Sequence, residues 1–225
     1  MLAGIRASLA HNRAQLAAEA ARAPHTPPPF VHPPQADLAA QFVAELARLE
    51  GYPHRCADDT AALGAIRAVL LRHQAASALA WDRDQVGLPG LDGLLAELGI
   101  QVLDGDIRGD GRAARLQALD PATVCISGAD AGIAESGTLV LRSGMGRGRL
   151  ASLVAPVHIA VLRREQIVRG LGAALALLQA RHGPDVFADS SNLTLISGPS
   201  RTGDIELTLT LGVHGPREIH VVLID

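Results

Sequence analysis

The polar residues that could bind an anion lie in two turns, rich in glycine and proline, near the end of the chain. Residues 196–206 join an apolar strand to a Gly-Pro-Ser turn, and residues 212–217 carry His214. Ligand sites in open α/β sheets lie at strand ends of this kind. Arginine holds a carboxylate or phosphate with two parallel hydrogen bonds, and backbone N–H groups that open a helical turn add donors. The predicted binding residues in these turns are Gly198, Ser200, Arg201, Thr202, Asp204 and Glu206, and the predicted binding set also includes Ser136, Gly137 and Thr138.

A purely structural interpretation of the first turn stays open. Ser200 would then cap a helical turn, and Arg201 would pair with Asp204 instead of binding a ligand. Capping and ligand binding are compatible, so both remain hypotheses.

Glu135 is the carboxylate best placed for chemistry. It lies between an apolar stretch and Gly137, which permits a turn that other residues disfavour, and Ser136 and Thr138 place hydroxyls beside it. Such a carboxylate can act as a base, a nucleophile or a cation ligand. The alternative is a solvated turn glutamate before a strand that begins with glycine.

His158 and His214 are the candidate proton carriers. Both adjoin turns that contain proline or glycine, and either would form a pH-sensitive pair with Glu135 if the two faced each other. The alternative for each is an ordinary core or surface histidine. No H-x-x-x-H or H-E-x-x-H spacing supports a catalytic zinc site, so no metal ligands are predicted.

The glycine- and arginine-rich run at residues 142–149 follows a strand but lacks the spacing of a dinucleotide-binding fingerprint. We predict a mobile loop here, whose arginines could close over an anion.

The elements that must position these residues predict an α/β fold. Residues 3–23 are alanine-rich and predict a helix, and the proline-rich residues 24–34 predict an extended spacer. The predicted domains are an N-terminal helical arm with its spacer (1–36) and an α/β domain (37–225). We hypothesise that the arm docks on a partner or on a second copy of the chain.

Within the α/β domain, Asp37 and Asp58 are predicted N-caps of two helices, at about 37–50 and 58–73. Strands and helices alternate afterwards, which indicates a mostly parallel sheet flanked by helices. The last two strands, joined by a Gly-Pro turn, are predicted to pair antiparallel. The other predicted elements are strands at 77–81, 100–103, 123–126, 138–141, 157–162, 193–196, 207–211 and 219–224, and helices at 91–98 and 165–180.

Composition excludes several functions. All 20 basic residues other than histidine are arginine, so neither a lysine Schiff base nor a P-loop lysine is available. Aromatic residues are 2% and net charge is −3, which argues against nucleic-acid binding. The two cysteines, Cys56 and Cys125, lack the spacing of an iron–sulfur or zinc site. No signal peptide or membrane-spanning run is evident, so we expect a soluble, cytoplasmic protein.

Four ordered motifs together resemble the LUD domain family over about residues 37–225. They are residues 132–139, 156–159, 197–206 and 212–217. The resemblance implies a fold similar to ribose-5-phosphate isomerase and the CoA transferases. It also implies a part in oxidising L-lactate to pyruvate in a three-component system whose partner subunits carry iron–sulfur clusters, with no cofactor in this chain.

The leading hypothesis is therefore a subunit of an L-lactate-oxidising complex that binds a small carboxylate. Arg201 would hold the anion, Glu135 would act as base or electrostatic partner, and His158 or His214 would tune protonation. One alternative is an acyl- or CoA-transferring enzyme with Glu135 as nucleophile, by analogy of fold alone. Another is a scaffold for the iron–sulfur subunits with no chemistry of its own.

Overall fold

The computed structural model describes residues 2–22, 30, 32–33, 35–105, 107, 109–183, 186, 190–202 and 210–225. The helices are α1 (Leu2–Arg22), α2 (Leu38–Arg48), α3 (Asp59–Arg72), α4 (Arg83–Val86), α5 (Leu91–Glu97), α6 (Arg112–Gln117) and α7 (Leu171–His182). The strands are β1 (Tyr52–Cys56), β2 (Ser77–Ala80), β3 (Gln101–Val102), β4 (Val124–Gly128), β5 (Ala131–Ile133), β6 (Thr138–Gly144), β7 (Val157–Arg163), β8 (Ile167–Val168), β9 (Ser190–Ile196), β10 (Arg201–Thr202), β11 (Thr210–Leu211) and β12 (Glu218–Ile224).

A parallel sheet of six strands, in the order β1-β12-β7-β4-β2-β3, forms the centre of the α/β fold. Its central strands β4, β7 and β12 are buried along almost their whole length. Strands buried on both faces read as continuous apolar runs, which is why the sequence predicts them well. The predicted α/β class with a mostly parallel sheet is confirmed.

The position of β12 corrects one prediction. The last strand was expected to pair antiparallel with the strand before it, yet β12 lies between β1 and β7 and is parallel to both. The short β11 instead pairs antiparallel with β10. The predicted strand at 207–211 is described only at its end, because residues 203–209 lie outside the described residues.

Strand β1 was not predicted from the sequence. Pro53 and the polar pair His54 and Arg55 argue against a central strand. β1 is an edge strand that pairs only with β12 in this sheet, and an edge position tolerates a proline because one side of the strand needs no ladder hydrogen bond.

A second, mixed sheet of four strands has the order β8-β5-β6-β9. Helix α7 covers it through a small apolar cluster, including Ala174 and Leu178. The predicted start of the helix at 165–180 is wrong, because a 3₁₀ turn and β8 occupy the first residues of that range. Gly170 is the N-cap, and α7 begins at Leu171.

The local signals for helix starts are confirmed. The Asp37 carboxylate accepts hydrogen bonds from the backbone N–H groups of Ala39 and Ala40 at the start of α2. The Asp58 carboxylate accepts one from Ala61 at the start of α3. The predicted N-terminal helix is present as α1, whereas the domain boundary at residue 37 stays a prediction.

The order of connections singles out one crevice in the large sheet. From β2 the chain continues to β3 on one side, whereas β4, β7 and β12 follow on the other side. Such a reversal leaves a crevice beyond the carboxyl ends of the strands, where open α/β sheets bind ligands. Here it lies between β2 and β4.

Candidate functional site

Glu135 lies in a 3₁₀ turn (Ala134–Ser136) between β5 and β6, and it is buried. Its backbone N–H donates to the carbonyl of Arg169 at 3.1 Å. Its carboxylate lies against Gly170, where an added Cβ would come within 2.5 Å of Oε1. Glu135 thus places a negative charge beside the N-terminal end of α7, which the helix dipole favours.

Phe30, from the predicted spacer, covers the same place. An added Cβ on Gly170 would lie 2.8 Å from Phe30 Cδ1. The Arg169 guanidinium lies 3.8 Å from the centre of the Phe30 ring and donates to the carbonyl of His32 at 2.7 Å. Part of the spacer therefore packs beside Glu135, which the sequence did not indicate.

A chain of three hydroxyls links the two predicted motifs. The Oγ1 atom of Thr138 lies 2.7 Å from Ser136 Oγ and 2.7 Å from Ser197 Oγ. The pairing of β6 with β9 produces this contact, because Leu139 is the register partner of Ile196. The structure therefore brings the turn after Glu135 next to the start of the Gly198 turn, and it adds Ser197 to the predicted residues.

Both turns also pack against the last turn of α2. Gly137 and Gly198 adopt left-handed backbone conformations, with φ of 57° and 82°. An added Cβ on Gly137 would lie 2.7 Å from the carbonyl carbon of Glu45, and one on Gly198 would lie 2.8 Å from the carbonyl oxygen of Leu49. Only glycine can adopt these positive φ values and also lie this close to the backbone of α2.

Arg201 reaches the same end of α2. Its Nη2 donates to the carbonyl oxygen of Leu49 at 2.5 Å and to Glu50 Oε2 at 3.0 Å. The guanidinium therefore satisfies a carbonyl at the end of the helix, where such groups lack helical partners. Asp204, the predicted ion-pair partner of Arg201, and Glu206 lie outside the described residues.

The His214 turn lies beside Ser200. The backbone N–H of Ser200 donates to the Pro216 carbonyl, and that of Gly212 donates to the Ser200 carbonyl, both at 2.9 Å. His214 itself is exposed. Residues 135–138, 197–202 and 212–216 thus form one assembly around the end of α2. Within it, Glu135 faces Gly170 and Arg201 faces Glu50.

His158 is in the sheet interior, with none of its surface exposed. Its Nε2 lies 2.8 Å from Ser127 Oγ on β4, which packs beside β7. Burial lowers the pKa of His158 from 6.5 to about 4. The imidazole is therefore neutral at physiological pH, and its position fits a core histidine.

This burial predicts a loss of stability in mild acid. Because the unfolded state binds a proton near pH 6.5 and the folded state only near pH 4, stability falls as the pH drops through this window. His158 alone contributes about 2 kcal/mol of destabilisation between about pH 7 and about pH 5. Urea unfolding at both pH values measures it, and His158→Gln should reduce the difference by that amount. An unchanged difference in the variant would refute the assignment.

A buried arginine cluster surrounds Asp130, at the carboxyl end of β4. The Asp130 carboxylate accepts from the backbone N–H of Arg142 at 2.7 Å and from Arg147 Nη1 at 3.2 Å, and its carbonyl accepts from Arg181 at 3.0 Å. Burial, and next the charge of Arg142, lowers the pKa of His182 beside this cluster. Arg142 belongs to β6 and only 5% of its side chain is exposed, so the expected mobile loop does not begin there.

A cleft of about 460 Å³ lies at the carboxyl ends of β2 and β3. The glycine-rich residues 144–148 are anchored at its rim, because the N–H of Asp82 donates to the Gly146 carbonyl at 2.8 Å and Trp81 Nε1 donates to the Gly148 carbonyl at 3.0 Å. Its charged lining is mostly acidic, which disfavours a carboxylate ligand. The charged lining residues are Asp82, Arg83, Asp92 and Asp104.

Residues that could hold a metal ion lie at the opposite, amino-terminal edge of the sheet. Donor atoms of His73, Glu218 and His220 lie within 4.8 Å of one another. This cluster was not predicted from the sequence, because its two histidines are far apart in the chain and form no spacing motif.

None of the helices in the described part of the chain combines the length and the apolar character that a membrane span requires.

Comparisons with known proteins identify the family. The LUD domain model matches residues 39–224. A Lactate utilization protein C of Halalkalibacterium halodurans is 32% identical over 162 residues, covering 72% of this chain and 68% of that protein. Another of Macrococcus caseolyticus is 36% identical over 117 residues, covering 50% of this chain and 48% of that protein, so the match spans about half its length.

The fold has a counterpart among solved structures. The crystal structure of a DUF162 family protein from Deinococcus radiodurans, at 1.70 Å resolution, matches with a TM-score of 0.59 and 24% identity, covering 86% of this chain and 100% of that one. This likeness supports the shared fold. Because the family model spans most of the chain, the chain belongs to the LUD domain family.

Proposed function

We propose that this chain is a subunit of a system that oxidises L-lactate to pyruvate. The observation that carries the proposal is the LUD domain match over residues 39–224, together with relatives named Lactate utilization protein C at 32–36% identity. The name of these relatives supports a role in lactate use. The direction of the reaction and its partners are parts of the proposal.

The proposed ligand is a small carboxylate at the assembly around the end of α2. The hydroxyls of Ser136, Thr138 and Ser197 form a continuous hydrogen-bonded chain, and Arg201, whose side chain is 32% exposed, adds a guanidinium. A ligand carboxylate would take the place of the Glu50 carboxylate on Arg201, and such charge-assisted bonds are the strong ones.

Glu135 is the proposed base for the lactate hydroxyl. Oxidation of lactate breaks the O–H and Cα–H bonds and releases two protons and two electrons. Glu135 would take up the hydroxyl proton, and the proton from the broken Cα–H bond would pass to solvent water as the two electrons leave. This chain has two cysteines without cluster spacing, so we propose that the electrons pass to iron–sulfur clusters on partner subunits.

The test is pyruvate formation from L-lactate by the complex isolated from the native host. Removing a general base costs on the order of 100-fold in rate, so Glu135→Gln should lower the rate by about that factor while the chain stays in the complex. Glu165→Gln is the matched control, because Glu165 is exposed in a different turn.

Two other outcomes would overturn the proposed chemistry. A complex with Glu135→Gln that keeps the full rate would favour a scaffold role. An acyl group found on Glu135 by mass spectrometry, after incubation with acyl-CoA, would favour a transferase instead.

A further inference from the structure

A cluster of histidines and one glutamate lies where three packed elements meet. Strand β12 begins at Glu218, and the neighbouring β1 begins at Tyr52, which is the register partner of His220. Helix α3 packs on both strands and ends with His73 as its C-cap. The backbone therefore fixes the position of each side chain.

The donor atoms have the spacing of metal ligands. Glu218 Oε2 lies 3.3 Å from His73 Nε2 and 3.2 Å from His220 Nε2, and all three atoms lie within 4.8 Å of one another. Zinc bonds of about 2.0–2.1 Å in a tetrahedral site place neighbouring donors about 3.3–3.4 Å apart. The two shorter distances agree with this value.

Hydrogen bonds within the described residues do not satisfy every donor atom of this cluster. His73 Nε2 is buried and has no hydrogen-bond partner among the residues described, although the Glu218 carboxylate is 3.3 Å away. A buried nitrogen without a partner costs about 1–3 kcal/mol. A bound cation would use the lone pair of this nitrogen.

The ring of His220 is held in place by other side chains. Only 1% of His220 is exposed, and its Nδ1 lies 3.0 Å from His54 Nε2. The rings of Tyr52 and His54 stack on it, with centroid distances of 4.7 Å and 5.2 Å. Metal-binding histidines are oriented in this way by a partner at the second ring nitrogen.

We infer that His73, Glu218 and His220 bind one divalent transition-metal ion of the Zn²⁺ class. Two imidazoles and one carboxylate suit Zn²⁺ and its neighbours, whereas Mg²⁺ and Ca²⁺ select oxygen ligands. The side chains of His73 and Glu218 remain 19% and 27% exposed, so a fourth ligand can come from solvent. The site lies at the sheet edge opposite the cleft at the carboxyl ends of β2 and β3, and it does not depend on the proposed lactate chemistry.

The test is titration of the untagged, full-length protein with Zn²⁺ after removal of metals by a chelator. Calorimetry should give one ion per chain, and Co²⁺ should give the strong visible absorption of a tetrahedral site. His54→Gln should weaken binding about 10- to 100-fold by loosening His220. His73→Ala should weaken it further, because it removes a ligand.

The matched control is His11→Gln, which changes an exposed histidine on α1 and should leave the affinity unchanged. Since His73 is partly exposed, its variant should fold, and circular dichroism checks this. The inference is overturned if the wild-type protein binds neither ion, or if the folded His73→Ala variant binds Zn²⁺ as tightly as the wild type. A cluster that binds no ion would be a histidine–glutamate hydrogen-bond network alone.

Discussion

Replacing Asp130 with alanine will destabilise the protein by about 3–5 kcal/mol, the range for removing one partner of a buried ion pair. The carboxylate accepts from the backbone of Arg142 and from Arg147 Nη1, and the side chains of Asp130, Arg142 and Arg147 are 9%, 5% and 13% exposed. Without it, buried guanidinium groups face each other with no charge between them. The midpoint of urea unfolding measures the loss.

Asp120→Ala is the control for this experiment, because Asp120 is exposed and its loss should change stability by no more than about 0.5 kcal/mol. The double variant Asp130→Ala, Arg147→Ala should lose less than the sum of the single variants, because the residues are in contact. Equal losses for Asp130→Ala and Asp120→Ala would show that the cluster does not stabilise the fold.

Replacing Gly137 with alanine will destabilise the protein by about 2–5 kcal/mol, from a left-handed backbone and a steric clash together. Gly137 has φ of 57°, and a Cβ would lie 2.7 Å from the Glu45 carbonyl carbon and 2.8 Å from Leu46 Cα. Backbone atoms cannot turn aside as a side chain can, so α2 would have to move. Thermal and urea unfolding measure the effect.

Gly93→Ala makes the same chemical change inside helix α5, where a Cβ would meet nothing within 4 Å. Alanine is favoured over glycine in a helix by about 0.5–1 kcal/mol, so this variant should be stabilised. A Gly137→Ala variant as stable as the wild type would show that the close packing of Gly137 on α2 is wrong.

The sequence predicts features that depend on neighbouring residues. Asp37 and Asp58 cap helices through residues two or three positions away, so local signals suffice. The buried central strands are continuous apolar runs, so they too can be predicted from local sequence. Strand β12 was misplaced because its neighbours are set by pairing with distant strands, which a Gly-Pro turn does not reveal.

The same limit applies to the candidate site. The sequence identified the turns around Glu135 and Gly198, and the pairing of β6 with β9 brings them together. It did not indicate which way the side chains face. Arg201 contacts Glu50, 151 residues away in the chain. The candidate metal site likewise joins His73 to Glu218 and His220, which lie near the end of the chain.

Arg142 shows how a composition signal can mislead. The glycine and arginine residues around it are typical of an exposed loop, and a mobile loop was predicted there. The side chain is buried with its Nη1 donating to the carbonyl of Val186, 44 residues away, and its Nε 3.8 Å from the Asp130 carboxylate. The position of Arg142 within an apolar strand was the feature of the sequence that could have indicated its burial.

Deleting this gene from the native host and measuring growth tests the role in lactate oxidation most directly. We expect no growth on L-lactate as the sole carbon source and normal growth on pyruvate, with growth on L-lactate restored by the wild-type gene. Normal growth of the deletion strain on L-lactate would contradict that role.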